Sequence, residues 1–158
     1  FALSDHLVRS SLSSVTSYSP EIRLRRRQDL AQHVINSASI AATAGVPLAE
    51  IISTGKEAFD ARYRSGFSFS DLTANRVGIK LAQLAVESEA SALDFQSRVQ
   101  KCGSDADVTP LVSSNRDGLS QREFEASYDD RTSVEYRRRV DSIDKEVAAL
   151  PLFSATTK

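Results

Sequence analysis

The chain has 158 residues, 41% of them hydrophobic and 26% charged, which favours one globular domain over a disordered chain. A formal net charge of −1 excludes a dedicated nucleic-acid binder, since such proteins carry a strong basic excess. A single cysteine, Cys102, excludes an internal disulfide and a cysteine-based zinc site, and two histidines far apart, His6 and His33, predict no histidine metal site.

The first predicted element is a helix near the N-terminus. Residues 1–18 are rich in serine and place apolar residues at helical spacing: Leu3, Leu7, Val8, Leu12 and Val15. The pattern indicates a first helix of a bundle, and the alternatives are a surface-seeking helix or the remnant of an organellar leader. Because the sequence begins at Phe1 and contains no methionine, we expect a processed start.

A second helix is expected to begin at Ser19 as the N-cap, with Pro20 in the first position, and to end at Gly45. Three consecutive arginines, residues 25–27, would lie on it. Consecutive side chains on a helix point about 100° apart, so they cannot form one flat phosphate-binding strip. This favours a solvated face with ion pairs to Asp29 over phosphate contact.

The third helix is predicted from about Pro47 to Arg64. Its packing and assembly residues recur every three or four positions: Gly45, Leu48, Ile51, Ile52, Gly55 and Phe59. Glycine in the middle of a helix costs roughly 1 kcal/mol relative to alanine. We therefore expect another backbone to approach closely at Gly55, which indicates packing or assembly rather than catalysis.

Two further helices complete the predicted all-α bundle of about five helices in a single domain, residues 1–158. Phe67 to Ser70 is expected to be a connector. A long helix is predicted from Ser70 or Asp71 to Cys102, and a last one from the Ser120–Glu123 capping box to Leu150. Residues 103–118 form a loop or hinge between the helical halves 1–102 and 119–151, which permits exchange of the C-terminal part between copies.

The sequence contains only weak matches to metal-binding and catalytic motifs. Asp105 and Asp107 alternate as in a calcium loop, and Asp129 and Asp130 would add ligands from elsewhere in the chain or from another subunit. The central glycine and the closing glutamate of such a loop are missing. No nucleophile–base pair or phosphate loop is present, so the sequence predicts no enzyme and no cofactor except calcium as an assembly ion.

Residues 44–59 resemble the outer nucleocapsid shell protein of cystoviruses, the enveloped double-stranded RNA bacteriophages. The shared pattern is Ala-Gly, Leu-Ala-x-Ile, Ser-Thr-Gly, and then an acid followed by alanine and an aromatic residue. The resemblance implies a helical subunit that self-assembles on the virion into an icosahedral shell, around an inner particle and beneath a lipid envelope. It also implies calcium-assisted assembly, a role in crossing the host membrane, and contacts with inner capsid proteins and lipid. It implies no catalytic residue and no sequence-specific nucleic acid.

A second resemblance involves residues 24–30 (Leu-Arg-Arg-Arg-Gln-Asp-Leu) and 71–75 (Asp-Leu-Thr-Ala-Asn). They are similar to short signatures of the LemA family, helical bacterial proteins held by an N-terminal membrane helix. This implies a membrane-anchored scaffold at the bacterial membrane, whose anchor was removed before Phe1. No stretch of this sequence reaches the roughly 20 apolar residues of a spanning helix. An organellar complex subunit with a clipped leader is the third alternative.

Overall fold

A computed structural model describes residues 21–154. They form six α-helices: α1 (Gln28–Ala44), α2 (Val46–Tyr63), α3 (Phe69–Val86), α4 (Glu89–Val99), α5 (Gln121–Tyr128) and α6 (Val134–Ala148). One turn of 3₁₀ helix, Asp105–Asp107, lies between α4 and α5. This part of the chain contains two isolated β-bridges and no strand, so the all-α prediction is confirmed. The helix predicted at residues 1–18 lies outside the described residues.

Helices α1 and α3 approach each other closely at Gly78. A methyl group at Gly78 would collide with the Ser37 hydroxyl and the backbone carbonyl of Val34 on α1. At Gly55 the same methyl group would meet nothing within 4 Å. Within the described residues the close helix contact is therefore at Gly78 and not at Gly55, and contact of Gly55 with another copy stays a prediction.

The predicted start of the second helix is wrong, since α1 begins only at Gln28. Leu24 and Arg27 close a turn through two backbone hydrogen bonds of 2.9 Å. Arg25 is held outside the helix, because its backbone N–H donates to the Asp105 carboxylate at 2.8 Å and its guanidinium donates to the Thr109 carbonyl. These long-range contacts override the local helical pattern.

Two details of that prediction are confirmed. Gly45 ends α1 with a φ of +88°, a value that residues other than glycine rarely adopt. Arg27 forms the expected ion pair with Asp29, at 2.5 Å. Arg27 also contacts Asp117 at 3.2 Å, so this arginine joins the start of α1 to the segment before α5.

Both long predicted helices are interrupted. Ser88 has an extended backbone and caps α4 by accepting the Ser91 N–H, so the helix expected as far as Cys102 is two helices. The last predicted helix breaks after Tyr128, where Asp129 has a φ of +60°. The Ser120–Glu123 capping box at its start is confirmed. The sequence is polar at both breaks, at residues 87–89 and at residues 129–133, so each break coincides with an interruption of the apolar spacing.

Aromatic rings form the centre of the core. Phe67 and Phe69, expected to be part of a connector, are each 1% exposed and stack near Phe124 and Tyr136. Phe67 and Leu119 exchange backbone hydrogen bonds of 2.7 and 3.0 Å. The segment between α4 and α5 thus packs on the start of α3, and exchange of the C-terminal helices between copies stays a prediction.

Candidate functional site

One face of α2 carries large apolar side chains that the described part of the chain leaves uncovered. Their exposed fractions are 43% for Leu48, 69% for Ile51, 44% for Ile52, 50% for Phe59 and 63% for Tyr63. They recur every three or four residues along the helix, with Gly55 at the centre. We call this row, residues 48, 51, 52, 55, 59 and 63, the outward face. The expectation that it packs inside this chain is wrong for residues 21–154; its role in assembly stays a prediction.

The opposite side of α2 packs against the rest of the chain and carries three polar residues. Its buried residues are Ala49, Ser53, Glu57, Asp60 and Ala61. The helix is therefore inverted relative to a helix in a soluble monomer, which turns its apolar stripe toward the core. Gly45, between α1 and α2, sets the angle at which α2 leaves α1 and is not part of the outward face.

Three helices bring three potential ligands together beneath this inverted helix. His33 comes from α1, Glu57 from α2 and Asp71 from the first turn of α3, and one donor atom of each lies within 4.8 Å of the others. His33 Nε2 is 3.3 Å from Asp71 Oδ2, and His33 Nδ1 is 3.2 Å from the Asn75 side-chain oxygen. We call His33, Glu57 and Asp71 the polar cluster.

Glu57 is the most deeply buried member of the polar cluster, with no exposed surface. Its Oε2 accepts the Ser68 N–H at 3.3 Å, whereas its Oε1 has no hydrogen-bond partner; Lys56 Nζ lies 3.6 Å from that atom. Burial, together with the nearby charge of Asp71, raises the pKa of Glu57 to about 7.

His33 and Asp71 are partly buried, whereas Glu57 is fully buried. Burial by itself lowers the pKa of His33, but its contacts with Asp71 and Asn75 outweigh burial and hold the pKa above its ordinary value. Asp71 Oδ1 is buried without a hydrogen bond, and Arg27 Nη2 lies 3.6 Å from it. The polar cluster is therefore negatively charged when its carboxyl groups are ionised and can share protons or hold a cation.

The four aspartates considered for calcium occupy separate positions with local roles. Asp107 accepts two backbone N–H groups, from Gly103 and Ser104, and Asp105 accepts the N–H of Arg25. Asp130 accepts the backbone N–H and the hydroxyl of Thr132. Asp129 ends α5. None belongs to the one three-ligand group found among the described residues.

The polar cluster was missed because its members are 24 and 14 residues apart in sequence and lie on three helices. One signal was available: Glu57 and Asp60 lie opposite the apolar stripe of α2. Had that stripe been assigned to the surface, both acids would have been placed inside. Nothing in the pattern indicated that assignment, since apolar stripes normally face the core.

Among the described residues, no helix combines the length and the apolar character needed to span a bilayer. Comparisons with protein-family models, with curated proteins and with solved structures found no match. The function must therefore be inferred from the chain's own geometry.

Proposed function

We propose that this chain is a structural, non-enzymatic subunit that assembles with further copies of itself through the outward face of α2. The observation that carries the proposal is the exposure of five large apolar side chains along one helix, beside an open glycine. Soluble monomers rarely expose a contiguous apolar patch of this kind, and such patches mark interaction surfaces.

The pattern of the outward face favours a second copy as its occupant. A two-fold interface must be self-complementary, because each subunit offers the same patch. Here an aliphatic half, Leu48 to Ile52, precedes Gly55, and an aromatic half, Phe59 to Tyr63, follows it. In an antiparallel pairing that crosses at Gly55, each aliphatic half meets the partner's aromatic half, and the missing side chains let the two helices approach.

Charge favours the same orientation. Arg62 and Arg64 are exposed at the C-terminal end of the outward face, where their guanidinium groups lie 5.4 Å from the Tyr63 ring and 5.8 Å from the Phe59 ring, respectively. A parallel pairing would bring the arginines of both copies together. An antiparallel pairing separates them, so like-charge repulsion opposes only the parallel arrangement.

The resemblance to the cystovirus shell protein supports a specific setting for this assembly. Its residues, 44–59, include most of the outward face, so the matching segment and the exposed segment coincide. On this proposal the assembly is a shell at the nucleocapsid surface of a virion, with inner capsid proteins on one side and lipid on the other. Calcium would then act as an assembly ion.

The test compares self-association of the full chain with that of two charge variants. Ile51→Lys places a charge on the outward face, and Leu93→Lys does the same at another exposed apolar residue, on α4. Light scattering after size exclusion should show a dimer or a larger assembly for the parent and for Leu93→Lys, and calcium should strengthen this association. Ile51→Lys should be mainly monomeric with an unchanged melting temperature.

Three results would contradict the proposal. The first is a monodisperse parent monomer at high concentration, and the second is equal loss of association in both variants. The third is binding of the monomer to anionic lipid vesicles through Ile51 without self-association. That last result would favour the LemA-type membrane scaffold, since basic residues beside an apolar face also suit a helix that lies on lipid.

A further inference from the structure

Burial of an ionisable carboxylate without a complete set of partners is energetically costly, and the polar cluster contains two such groups. The free oxygens are Glu57 Oε1 and Asp71 Oδ1, both buried and both without a hydrogen bond. Lys56 gives only partial compensation, because its side chain is 50% exposed and its ammonium group donates its short hydrogen bond to Asp60, at 2.6 Å. An uncompensated charge of this kind normally acquires a proton or a metal ion.

We propose that His33, Glu57 and Asp71 bind one divalent transition-metal ion between α1, α2 and α3. The donors converge from three helices, within 4.8 Å of one another. Metal ions of the zinc class lie about 2.0–2.2 Å from nitrogen and carboxylate ligands. Small side-chain movements are therefore sufficient to bring all three donors to one ion.

The unpartnered Glu57 carboxylate is the independent observation that points to a ligand. Its side chain is buried, and Oε1 has no hydrogen bond of its own. An ion would supply the missing partner. His33 and Asp71 are only partly buried, so part of each residue is in contact with solvent.

Asn75 supplies the orientation that a ligating imidazole requires. Its side-chain oxygen, 3.2 Å from His33 Nδ1, accepts a hydrogen bond when the proton is on that nitrogen. Nε2 then presents its lone pair to the polar cluster. Ligating histidines are commonly held in this way by an acceptor that hydrogen-bonds to the ring nitrogen not bound to the metal. When no ion is bound, a proton on His33 Nε2 can join this nitrogen to Asp71. The ion would take the place of that proton.

The donor set selects the class of metal. One imidazole nitrogen and two carboxylates suit zinc, manganese, iron(II) or cobalt(II), whereas calcium and magnesium prefer shells made of oxygen alone. This site is distinct from any calcium ion that assists assembly, and it lies on the side of α2 opposite the outward face. The inference goes beyond the proposed function and does not depend on it.

The test measures metal stoichiometry and affinity in the full chain. Isothermal titration with zinc chloride and with manganese chloride, and cobalt(II) absorption spectra, would be recorded for the parent and for Glu57→Gln, Asp71→Asn and His33→Asn. Two controls separate this site from adventitious binding. Cys102→Ser removes the only thiol, and Asp144→Asn removes a half-exposed carboxylate that pairs with Arg76 outside the polar cluster.

We expect one ion per chain, at least about tenfold weaker binding in each polar-cluster variant, and unchanged binding in both controls. The cobalt spectrum should lack a thiolate charge-transfer band. If Glu57→Gln fails to fold, Asp71→Asn and His33→Asn, which alter less buried residues, carry the test. Absence of saturable binding, or binding that Cys102→Ser abolishes and the cluster variants retain, would overturn the proposal.

Discussion

Asp117 fixes the start of α3 through hydrogen bonds to two serines. Its Oδ1 accepts the Ser68 hydroxyl and the Ser70 backbone N–H, each at 2.9 Å, and its other oxygen pairs with Arg27. Burial by itself raises the pKa of Asp117, but these hydrogen bonds and the Arg27 contact outweigh burial and lower the pKa below its ordinary value of 3.8. The ionised carboxylate is thus the form that the fold stabilises.

This geometry predicts a pH-dependent contribution to stability. A carboxylate with a lowered pKa stabilises the fold above the unfolded-state pKa, and the contribution disappears as pH falls through the folded-state value. Asp117→Asn should lower the free energy of unfolding by about 1 kcal/mol near neutral pH, a modest value because the side chain is 32% exposed. The difference from the parent should shrink below pH 3.8.

Urea denaturation of both proteins, from neutral to acidic pH, measures this difference. Asp94→Asn is the matched control, because Asp94 pairs with Arg98 on the surface of α4 with 55% of its side chain exposed. It should change stability by less than about 0.5 kcal/mol. A parent–Asp117→Asn difference that stays constant as the solution is acidified would show that the ionised carboxylate contributes nothing.

At the scale of the helices, two glycines allow the same substitution to act in opposite directions. Gly78→Ala places a methyl group against the Ser37 hydroxyl and the Val34 carbonyl, so α1 and α3 must move apart. We expect a loss of about 1–3 kcal/mol, as for overpacked cores. Gly55→Ala meets open space and gains helix propensity, which should raise the stability of the monomer by up to about 1 kcal/mol.

Thermal and chemical denaturation at protein concentrations low enough to keep the chain monomeric would measure both effects. Each variant is the other's control, since the chemical change is identical and both sites are in the middle of a helix. Equal destabilisation would mean that Gly55 is covered within its own chain. An unchanged melting temperature for Gly78→Ala would contradict the close contact between α1 and α3.

Sequence periodicity located the helices better than it located their neighbours. The bounds of α2 and the end of α1 at Gly45 could be predicted, because glycine and proline interrupt the pattern there. The breaks at Ser88 and Asp129 were not predicted as helix ends. Both are marked by polar residues, and a polar interruption alone does not distinguish a helix end from an exposed turn of a continuous helix. Which side of α2 faces inward could not be predicted either, because an apolar stripe has the same spacing whether its own chain or another copy covers it.

The polar cluster was unpredictable for a related reason. His33, Glu57 and Asp71 become neighbours only when α1, α2 and α3 pack together, and no local spacing encodes that packing. Gly78 permits this packing, but no pattern in the residues around it marks it as a contact point. Gly55, in contrast, lies within an obvious apolar stripe. The missed polar cluster and the missed contact at Gly78 both follow from the assumption that α2 buries its apolar side in its own chain.

At the scale of the whole molecule, the inverted α2 connects the two proposals. Its inward side holds Glu57 near His33 of α1 and Asp71 of α3, which fixes the orientation of the outward face. A rigidly held patch loses less conformational freedom on binding than a mobile one. The buried polar side of α2 thus holds the outward face in a fixed orientation before a partner binds.

Substitution of Gly55 by leucine tests this view of the whole molecule. Within one chain the new side chain meets open space, so the fold should keep its melting temperature to within a few degrees. Between copies it stands where the two helices would cross, and overpacking should weaken association by about 1–3 kcal/mol per contact. Sedimentation over a range of concentrations should therefore show a shift toward monomer at unchanged helicity. Because leucine adds apolar surface, a nonspecific hydrophobic patch would associate more strongly after the change, and that opposite outcome would exclude a close crossing at Gly55.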